Sequence, residues 1–179
     1  WNGRQGLKML VGGESVPRKL VDELLRVGGE VWNMYGPTET TIWSTLCRLT
    51  ADDPIVSIGH PIANTQIYIL DANLSPVPVG VPGTLYIGGD GLARGYITRP
   101  DLTAERFIAN PFDCPEARIY NTGDLARYLP QGQLEHLGRV DHQVKIRGYR
   151  IELGEIESAM NLYPGVRESQ VTLREDNPG

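Results

Sequence analysis

The sequence has 179 residues, of which 40% are hydrophobic and 22% charged, and its formal net charge is −5. This composition is typical of a soluble globular protein, and because no dense Lys/Arg run occurs, it argues against a nucleic-acid partner. No apolar run approaches the roughly 18 residues of a membrane helix, and Cys47 and Cys114 form neither a disulfide framework nor a CxxC metal pair, so a cytoplasmic location without a membrane partner is expected.

The chain begins with an α/β pattern. Residues 7–11 are a short apolar run that predicts a buried strand. Residues 16–27 predict a helix with one apolar face, with Ser15 as its cap and Pro17 in its first turn. Residues 31–35 predict a second strand, and a strand, helix and strand in this short space indicate a parallel βαβ unit.

A turn-rich stretch follows. Residues 67–70, 84–87 and 134–137 predict short strands, and residues 101–107 predict a short helix. Residues 120–124 are expected to end in a Gly-Asp turn. This section therefore predicts antiparallel β-structure, in the form of a small barrel.

The last part of the chain has a third character. Residues 144–146 and 149–151 flank Arg147-Gly148 and predict a hairpin. Residues 153–162 predict a helix, and residues 166–173 predict one more strand. The fold class is thus α/β plus β, divided into the end of a large α/β subdomain (1–50), a β-barrel subdomain (51–138) and the beginning of a small α+β C-terminal domain (139–179).

The stretch NMYGPTETT (33–41) follows the second strand, at the end where α/β sheets usually hold ligands. Tyr35 offers a flat face, and Gly36 lets a ligand approach the backbone closely. Glu39 would reach a phosphate through Mg²⁺, because both groups are anions and Mg²⁺ prefers oxygen ligands. The hydroxyls able to donate to phosphate oxygens are those of Thr38, Thr40 and Thr41. A turn capped by Thr and Glu side chains explains the same spacing equally well.

Two other features carry no chemistry in our interpretation. The glycine-rich stretch IGGDGLARGY (87–96) is neither a Walker motif nor a strand-to-helix turn, so turns that need positive φ explain its glycines better. The three histidines show no partner pattern for a metal or a catalytic triad and are interpreted as structural or solvated: His60, His136 and His142.

Four motifs resemble, in the same order, those of adenylate-forming enzymes, specifically the amino-acid adenylation domains of nonribosomal peptide synthetases. They are NMYGPTETT (33–41), GTLYIGGDGLARGY (83–96), YNTGDLARY (120–128) and GRVDHQVKIRGYRIELGEIE (138–157). The resemblance covers essentially the whole chain. It implies a ribose-binding turn in the barrel subdomain and a hinge at the start of the small domain.

The resemblance implies a site for ATP or AMP with Mg²⁺. Tyr35 would stack on adenine, Thr38 would touch the α-phosphate, and Asp124 would accept both ribose hydroxyls, although a satisfied turn aspartate explains Asp124 as well. The implied nucleotide-binding residues are Gly13, Asn33, Tyr35, Gly36, Thr38, Asp124 and Arg139. The implied catalytic residues are Thr38, Glu39 and Lys145, with Glu39 as metal ligand and Asp141 as hinge. Lys145 and Gly148 fall where the family's rotated domain meets a pantetheine arm, and the alternative there is an ordinary hairpin.

The resemblance also implies a substrate pocket lined by Leu10, Gly12, Met34, Ile42 and Trp43. Bulky walls leave little volume, and overpacking a site is unfavourable. The expected substrate is therefore a small amino acid, with glycine first and alanine second. The alternative for Trp43 is an ordinary core residue.

The implied reaction joins a substrate carboxylate to AMP from ATP and then transfers the acyl group to phosphopantetheine. The implied partners are a carrier (thiolation) domain and a condensation domain of the same synthetase, with a small accessory protein as a further possibility. The alternatives are an acyl- or aryl-CoA ligase of the same superfamily, and a non-catalytic remnant or interaction module.

We expect the isolated 179-residue chain not to catalyse adenylation. The chain resembles an internal fragment: the family's phosphate loop and the aspartate that grips the substrate amine are expected upstream, and a catalytic lysine downstream. ATP–pyrophosphate exchange by the purified chain measures this, and exchange above background would contradict it.

Overall fold

A computed structural model describes residues 4, 6–141, 143–146 and 149–174, without the side chains of Lys145 and Arg150. The strands in these residues are β1 (Lys8–Gly12), β2 (Glu30–Tyr35), β3 (Thr45–Leu49), β4 (His60–Pro61), β5 (Thr65–Leu70), β6 (Gly83–Gly89), β7 (Phe107–Ala109), β8 (Arg118–Tyr128), β9 (Leu134–Arg139), β10 (Val144–Ile146) and β11 (Tyr149–Ile151). The helices are α1 (Arg18–Val27), α2 (Pro100–Arg106) and α3 (Leu153–Asn161), and a 3₁₀ turn spans Thr38–Thr40. No helix in the described part of the chain is both long and apolar enough to cross a membrane.

The first sheet has the order β1-β2-β3-β4. β1 and β2 are parallel, which confirms the predicted βαβ unit. β3 and β4 extend the sheet in antiparallel fashion, and the sequence analysis did not predict them. Helix α1 packs on one face of this sheet over a core of buried side chains: Val21, Val31, Cys47 and Leu49.

The start of α1 differs from the prediction. The helix begins at Arg18, and Pro17 precedes it in an extended conformation, so Ser15 is not the cap. No side-chain cap bond is formed there. Instead, the Arg18 guanidinium donates to the carbonyls of Thr50, Ala51 and Asp53 at distances from 2.8 to 3.0 Å, which fastens the helix start to the loop after β3.

The second sheet is antiparallel throughout, as predicted, with the order β5-β6-β8-β7 and with β9 also paired to β8. Its core contains Ile58, Ile69, Leu85, Ile87, Ala126 and Leu134. The predicted Gly-Asp turn at residues 120–124 is wrong, because β8 runs straight through it. Gly123 has φ +74°, and the pairing to β9 shifts register between Leu125 and Ala126, so the turn signal marks an irregularity inside a strand.

The chain divides into two compact units between Val140 and Asp141. In the second unit, β10 and β11 form the predicted antiparallel hairpin, whose Arg147-Gly148 turn lies outside the described residues. The predicted strand at 166–173 is wrong. The Val171 amide donates to the Glu157 carboxylate at 2.9 Å, and the Ser169 hydroxyl contacts the Glu157 carbonyl, so side-chain and main-chain atoms of α3 satisfy this segment in place of a strand partner.

A short segment joins the two sheets of the first unit. The Ile58 amide donates to the Leu134 carbonyl, and the Leu134 amide donates to the Gly59 carbonyl, each at 2.9 Å. Gly59 has φ +79°, and a Cβ placed there would lie 1.9 Å from the Leu46 carbonyl oxygen. The junction therefore requires glycine for both its conformation and its lack of a side chain.

Gly59→Ala is expected to destabilise a protein containing this chain much more than Gly80→Ala. Gly80 has a similar φ of +85° but open space around its Cβ position, so its substitution carries only the left-handed strain of about 1–2 kcal/mol. The clash at Gly59 should add roughly 1–3 kcal/mol. Denaturant midpoints of both variants measure the difference, and equal losses would contradict the proposed packing of Gly59 against Leu46.

Candidate functional site

The site begins at the carboxyl end of β2. Tyr35, the last residue of β2, donates its phenol hydrogen to Asp124 Oδ2 on β8, across 89 residues of sequence. Burial raises the pKa of Tyr35 well above its ordinary value, and the neighbouring Asp124 charge raises it further. The phenol therefore stays protonated and acts as a donor, and it ties the two sheets together.

Asp124 is the charged centre of this contact and is only 6% exposed. Arg139 Nη1 lies 2.8 Å from its Oδ1, and Arg139 Nη2 donates to the Thr122 carbonyl at 3.0 Å. Burial alone would raise the pKa of Asp124, but hydrogen bonds from His136 and Tyr35, with the charges of His136 and Arg139, outweigh burial and lower it. The carboxylate is thus held ionised between a phenol and a guanidinium.

His136 belongs to this site, although its sequence position gave no sign of a partner. Its Nε2 lies 3.5 Å from Asp124 Oδ1, and its ring centroid lies 5.8 Å from that of Tyr35. β9 carries it opposite Ala126, next to the register shift with β8. Sequence spacing does not report such a shift, which is why sequence analysis missed this residue.

Glu39 lies on the 3₁₀ turn after β2 and is 6% exposed. Its Oε1 accepts a hydrogen bond from the Tyr96 hydroxyl at 2.6 Å, and its carbonyl accepts one from the Ala93 amide at 2.8 Å. Tyr96 is the last residue of the glycine-rich stretch 87–96, for which the sequence predicted no chemical role. The loop after β6 therefore contacts both the main chain and the side chain of Glu39.

The three threonines of the turn have different environments. Thr40 is buried, and its hydroxyl contacts the Pro37 carbonyl at 3.2 Å and the Ser44 hydroxyl at 2.6 Å. The turn begins after Pro37 without a side-chain cap bond, so the alternative of a turn capped by Thr and Glu is wrong. The Thr41 hydroxyl donates to the Gly91 carbonyl at 2.7 Å. Thr38 and Thr41 are both exposed, but the Thr41 hydroxyl is already bonded to Gly91, so the Thr38 hydroxyl is the better placed to meet a ligand.

Three other predicted nucleotide-binding residues are placed differently from one another. Gly13 has φ +88° and open space around its Cβ position. The small size of Gly36 is needed by the protein itself, since a Cβ there would lie 2.5 Å from the Ile42 carbonyl oxygen. Asn33 is 5% exposed, and its side-chain amide donates a hydrogen bond to the Ser57 carbonyl at 2.9 Å. Its side chain therefore fixes the loop between β3 and β4.

Of the predicted pocket residues, Leu10, Gly12 and Met34 share the sheet face opposite to α1. Gly12 pairs with Met34 in parallel register, and Leu10 precedes Gly12 by two residues on the same face. A Cβ on Gly12 would lie 2.3 Å from the Met34 carbonyl oxygen and 3.0 Å from the Trp43 ring. Leu10, Ile42 and Trp43 are all exposed in this structure. The structure therefore brings Gly12, Met34 and Trp43 together at one place.

The predicted positive φ is confirmed at two positions of the glycine-rich stretch, one at the end of β6 and one in the loop that follows. Gly89 has φ +107° and Gly95 has φ +145°, which are conformations that favour glycine. A Cβ on Gly95 would also meet the Thr103 side chain at 2.4 Å.

The predicted hinge and pantetheine-contact residues lie in the second unit. Asp141 is its first residue, and its Oδ1 accepts a hydrogen bond from the Gln143 amide at 3.3 Å. Lys145 lies in β10, and its side chain is outside the described residues, as is Gly148.

The fold and the site define an α/β protein with a candidate nucleotide site at the carboxyl end of a parallel strand. The chain belongs to the family of AMP-binding enzymes, whose model matches residues 3–97. This match confirms the family resemblance stated from the sequence motifs.

Curated relatives agree with the family assignment. The chain is 55% identical over 175 residues to a component of the linear gramicidin synthase of Brevibacillus parabrevis, a match that covers 94% of this chain and 3% of that protein. It is 54% identical over 176 residues to a dimodular nonribosomal peptide synthase of Bacillus subtilis (strain 168), covering 98% of this chain and 7% of that protein. The chain thus spans a small fraction of the length of these relatives.

Solved structures show the same fold. One is a four-domain holo nonribosomal peptide synthetase bound to AMP and glycine, with a TM-score of 0.74 and 48% identity over 97% of this chain and 13% of that one. Another is a holo nonribosomal peptide synthetase containing adenylation and PCP domains, bound to a vinylsulfonamide inhibitor. Its TM-score is 0.83, with 32% identity over 94% of this chain and 30% of that one.

Asp124→Asn is expected to destabilise a protein containing this chain by roughly 1–3 kcal/mol near neutral pH, because it removes the negative charge that accepts hydrogen bonds from Arg139 and Tyr35. The folded pKa of Asp124 is lowered. Its stabilisation is therefore complete above the ordinary aspartate pKa of about 3.9 and is lost as the pH falls through the lower folded value. The difference in the free energy of unfolding between wild type and Asp124→Asn should therefore become smaller as the pH falls.

Urea midpoints at neutral pH and at about pH 3 measure this effect. Asp90→Asn, at an exposed carboxylate in the loop after β6, is the matched control and should change stability little at either pH. A wild-type advantage over Asp124→Asn that is constant with pH would contradict an ionised Asp124.

Proposed function

We propose that this chain forms part of a domain that activates an amino acid with ATP as aminoacyl-AMP for nonribosomal peptide synthesis. The observation that carries the proposal is the contact between Tyr35 and Asp124. It joins two of the sequence motifs, one from each sheet, at the strand end where α/β proteins hold nucleotides. Membership of the AMP-binding enzyme family supports the same conclusion.

In this proposal Tyr35 and Asp124 hold the nucleoside of ATP. Tyr35 offers its ring to adenine, and Asp124 accepts the ribose hydroxyls. Each carboxylate oxygen has two acceptor positions. Asp124 can therefore accept ribose hydroxyls while it keeps its bond to Arg139, and the Tyr35 phenol either keeps its bond to Asp124 or gives it up to the ribose. His136, at the edge of the same carboxylate, lines this nucleoside site.

The described residues fit Mg²⁺ through a single carboxylate. Among them, no group of three or more His, Cys, Asp and Glu residues is placed to hold a metal. Mg²⁺ usually binds through one or two carboxylates together with substrate phosphates and water. Glu39, a hard oxygen donor beside the exposed Thr38, would therefore hold Mg²⁺, which when bound reduces the negative charge on the phosphates.

The proposed reaction has two halves. In the first, a substrate carboxylate oxygen bonds to the α-phosphorus of ATP, and the bond from that phosphorus to pyrophosphate breaks. In the second, the thiol of a carrier-bound phosphopantetheine replaces AMP at the acyl carbon. Tyr35, Asp124 and Thr38 contribute by fixing the nucleoside and the α-phosphate, since positioning supplies much of the rate in such transfers.

The proposed partners of the second half-reaction are a carrier domain and a condensation domain of the same synthetase. The solved structure that contains adenylation and PCP domains supports such an arrangement. Asp141 is the proposed hinge, and it begins the second compact unit. Lys145, in the strand that follows, is proposed to act near the pantetheine arm.

The proposed substrate is glycine, with alanine second. The Trp43 ring lies 3.0 Å from the position of a Cβ on Gly12, so it would stand against the side chain of a substrate bound beside Gly12. The related synthetase structure bound to AMP and glycine supports this assignment. Leu10 and Ile42 complete the proposed lining.

A complete adenylation domain containing this chain should show ATP–pyrophosphate exchange with glycine first and alanine second. Trp43→Ala should admit larger amino acids, because it removes the ring beside Gly12, and should raise their kcat/KM relative to glycine by roughly 10-fold or more. Phe112→Ala is the matched control, since Phe112 is an aromatic side chain of similar exposure that instead stacks on Tyr68 of the second sheet, with ring centroids 5.0 Å apart.

The exchange rates with a panel of amino acids are the measurement. No exchange with any amino acid would overturn the proposed function. Exchange with an unchanged profile in Trp43→Ala would overturn the pocket assignment alone.

A further inference from the structure

The loop between β6 and α2 is hydrogen-bonded to the turn that carries Glu39. The Thr41 hydroxyl donates to the Gly91 carbonyl at 2.7 Å, and the Ala93 amide donates to the Glu39 carbonyl at 2.8 Å. A third hydrogen bond runs from the Tyr96 hydroxyl to Glu39 Oε1 at 2.6 Å. The first bond is made by a side chain at the end of the turn, and the second is made by the main chain of the turn. The third reaches the carboxylate that the proposed function assigns to Mg²⁺.

The loop between β6 and α2 is itself fixed by side chains of β8 and α2. The Arg118 guanidinium donates to the carbonyls of Ala93 and Arg94, each at 3.2 Å. The Tyr96 amide donates to Thr103 Oγ1 at 2.9 Å, which anchors Tyr96 to α2. These contacts give Tyr96 a fixed main-chain position from which to reach Glu39.

The ring of Tyr96 is also fixed. It meets the Phe107 ring edge-on, with centroids 5.7 Å apart, and its hydroxyl lies 3.3 Å from that of Tyr120. In the hydrogen bond to Glu39 the Tyr96 phenol is the donor and the carboxylate is the acceptor.

We propose that Tyr96 is a positioning residue for the metal-binding carboxylate, holding Oε1 of Glu39 so that the carboxylate meets Mg²⁺ in one orientation. This inference rests on the proposed function, in which Glu39 is the metal ligand. A glutamate side chain has several rotatable bonds whose ordering is costly. Partners that orient a ligand typically change metal affinity by about 10–100-fold when they are removed.

The test uses a complete adenylation domain that contains this chain with Tyr96→Phe. The dissociation constant of a non-hydrolysable ATP analogue is measured with and without Mg²⁺. The variant should keep the affinity for the metal-free analogue, since the nucleoside contacts are intact. It should lose about tenfold of the gain in affinity that Mg²⁺ provides.

Tyr128→Phe is the matched control. It also removes one phenol hydroxyl, but from β8, where Tyr128 donates to the Ile67 carbonyl at 3.1 Å and not to Glu39. Its Mg²⁺-dependent gain should equal that of wild type. If Tyr128→Phe reduces the gain as much as Tyr96→Phe does, the effect is a general loss of stability and the proposal is wrong.

Glu39→Gln separates the two levels of inference. If Glu39→Gln leaves the Mg²⁺-dependent gain intact, the metal role of Glu39 in the proposed function fails. If Glu39→Gln abolishes the gain but Tyr96→Phe does not change it, only the role of Tyr96 fails. If both reduce it, adding Tyr96→Phe to Glu39→Gln should have no further effect, and an additive loss would also overturn the proposal.

A crystal structure of the wild-type domain with Mg²⁺ and the ATP analogue decides the question even if Tyr96→Phe does not fold. The Tyr96 hydroxyl should remain within about 3 Å of a Glu39 carboxylate oxygen. A Tyr96 side chain turned away from Glu39 in that complex would overturn the proposal.

Discussion

The arrangement of the first unit depends on how one buried negative charge is compensated. An ionised carboxylate at 6% exposure is unfavourable unless it is paired and hydrogen-bonded. Arg139, opposite Asp124 in the β8–β9 pair, supplies the positive charge from the same sheet, and Tyr35 supplies a hydrogen bond from the other sheet. The Asp124 carboxylate therefore connects the two sheets and is also the group proposed to contact the ribose. In the proposed function, a nucleotide would join this network at Asp124, and the Tyr35 phenol would be the group that adjusts.

The turn after β2 stores strain that the surrounding contacts maintain. Thr41 and Ile42 have φ of 61° and 73°, which is unusual for β-branched residues. Such conformations cost of order 1–3 kcal/mol each and persist only where neighbouring structure enforces them. Here the Ser44 amide bonds to the Tyr35 carbonyl at 2.8 Å, closing the turn, while Gly91 holds Thr41. The result directs Glu39 towards Tyr96 and places Trp43 beside Gly12.

Local sequence patterns predicted the elements whose formation depends mainly on residues close together in the chain. β1, α1, β2 and the β10–β11 hairpin follow from periodicity and turn residues, and the NMYGPTETT motif locates Tyr35 and Glu39. The failures involve long-range pairing: a strand continuing through Gly123, segment 166–173 satisfied by α3, and β3 added to the first sheet. The contacts of Tyr96 and His136 were missed for the same reason, since Glu39 and Tyr96 lie 57 residues apart.

The geometry beside Gly12 also bears on how a pocket could select glycine. A hydrophobic site discriminates weakly against a smaller substrate, because one missing methylene changes binding by only about 1–3 kcal/mol. Exclusion of larger substrates adds with each extra group, because overpacking a filled site costs typically about 1–3 kcal/mol and occasionally more. Glycine is the smallest amino acid, so exclusion alone would be sufficient for its selection. The Met34 carbonyl lies 2.3 Å from a Gly12 Cβ position because Gly12 and Met34 are neighbours in parallel strands, so it restricts residue 12 itself. In the proposed function the exclusion of larger substrates therefore falls to the Trp43 side chain, which lies outside the strands of the sheet.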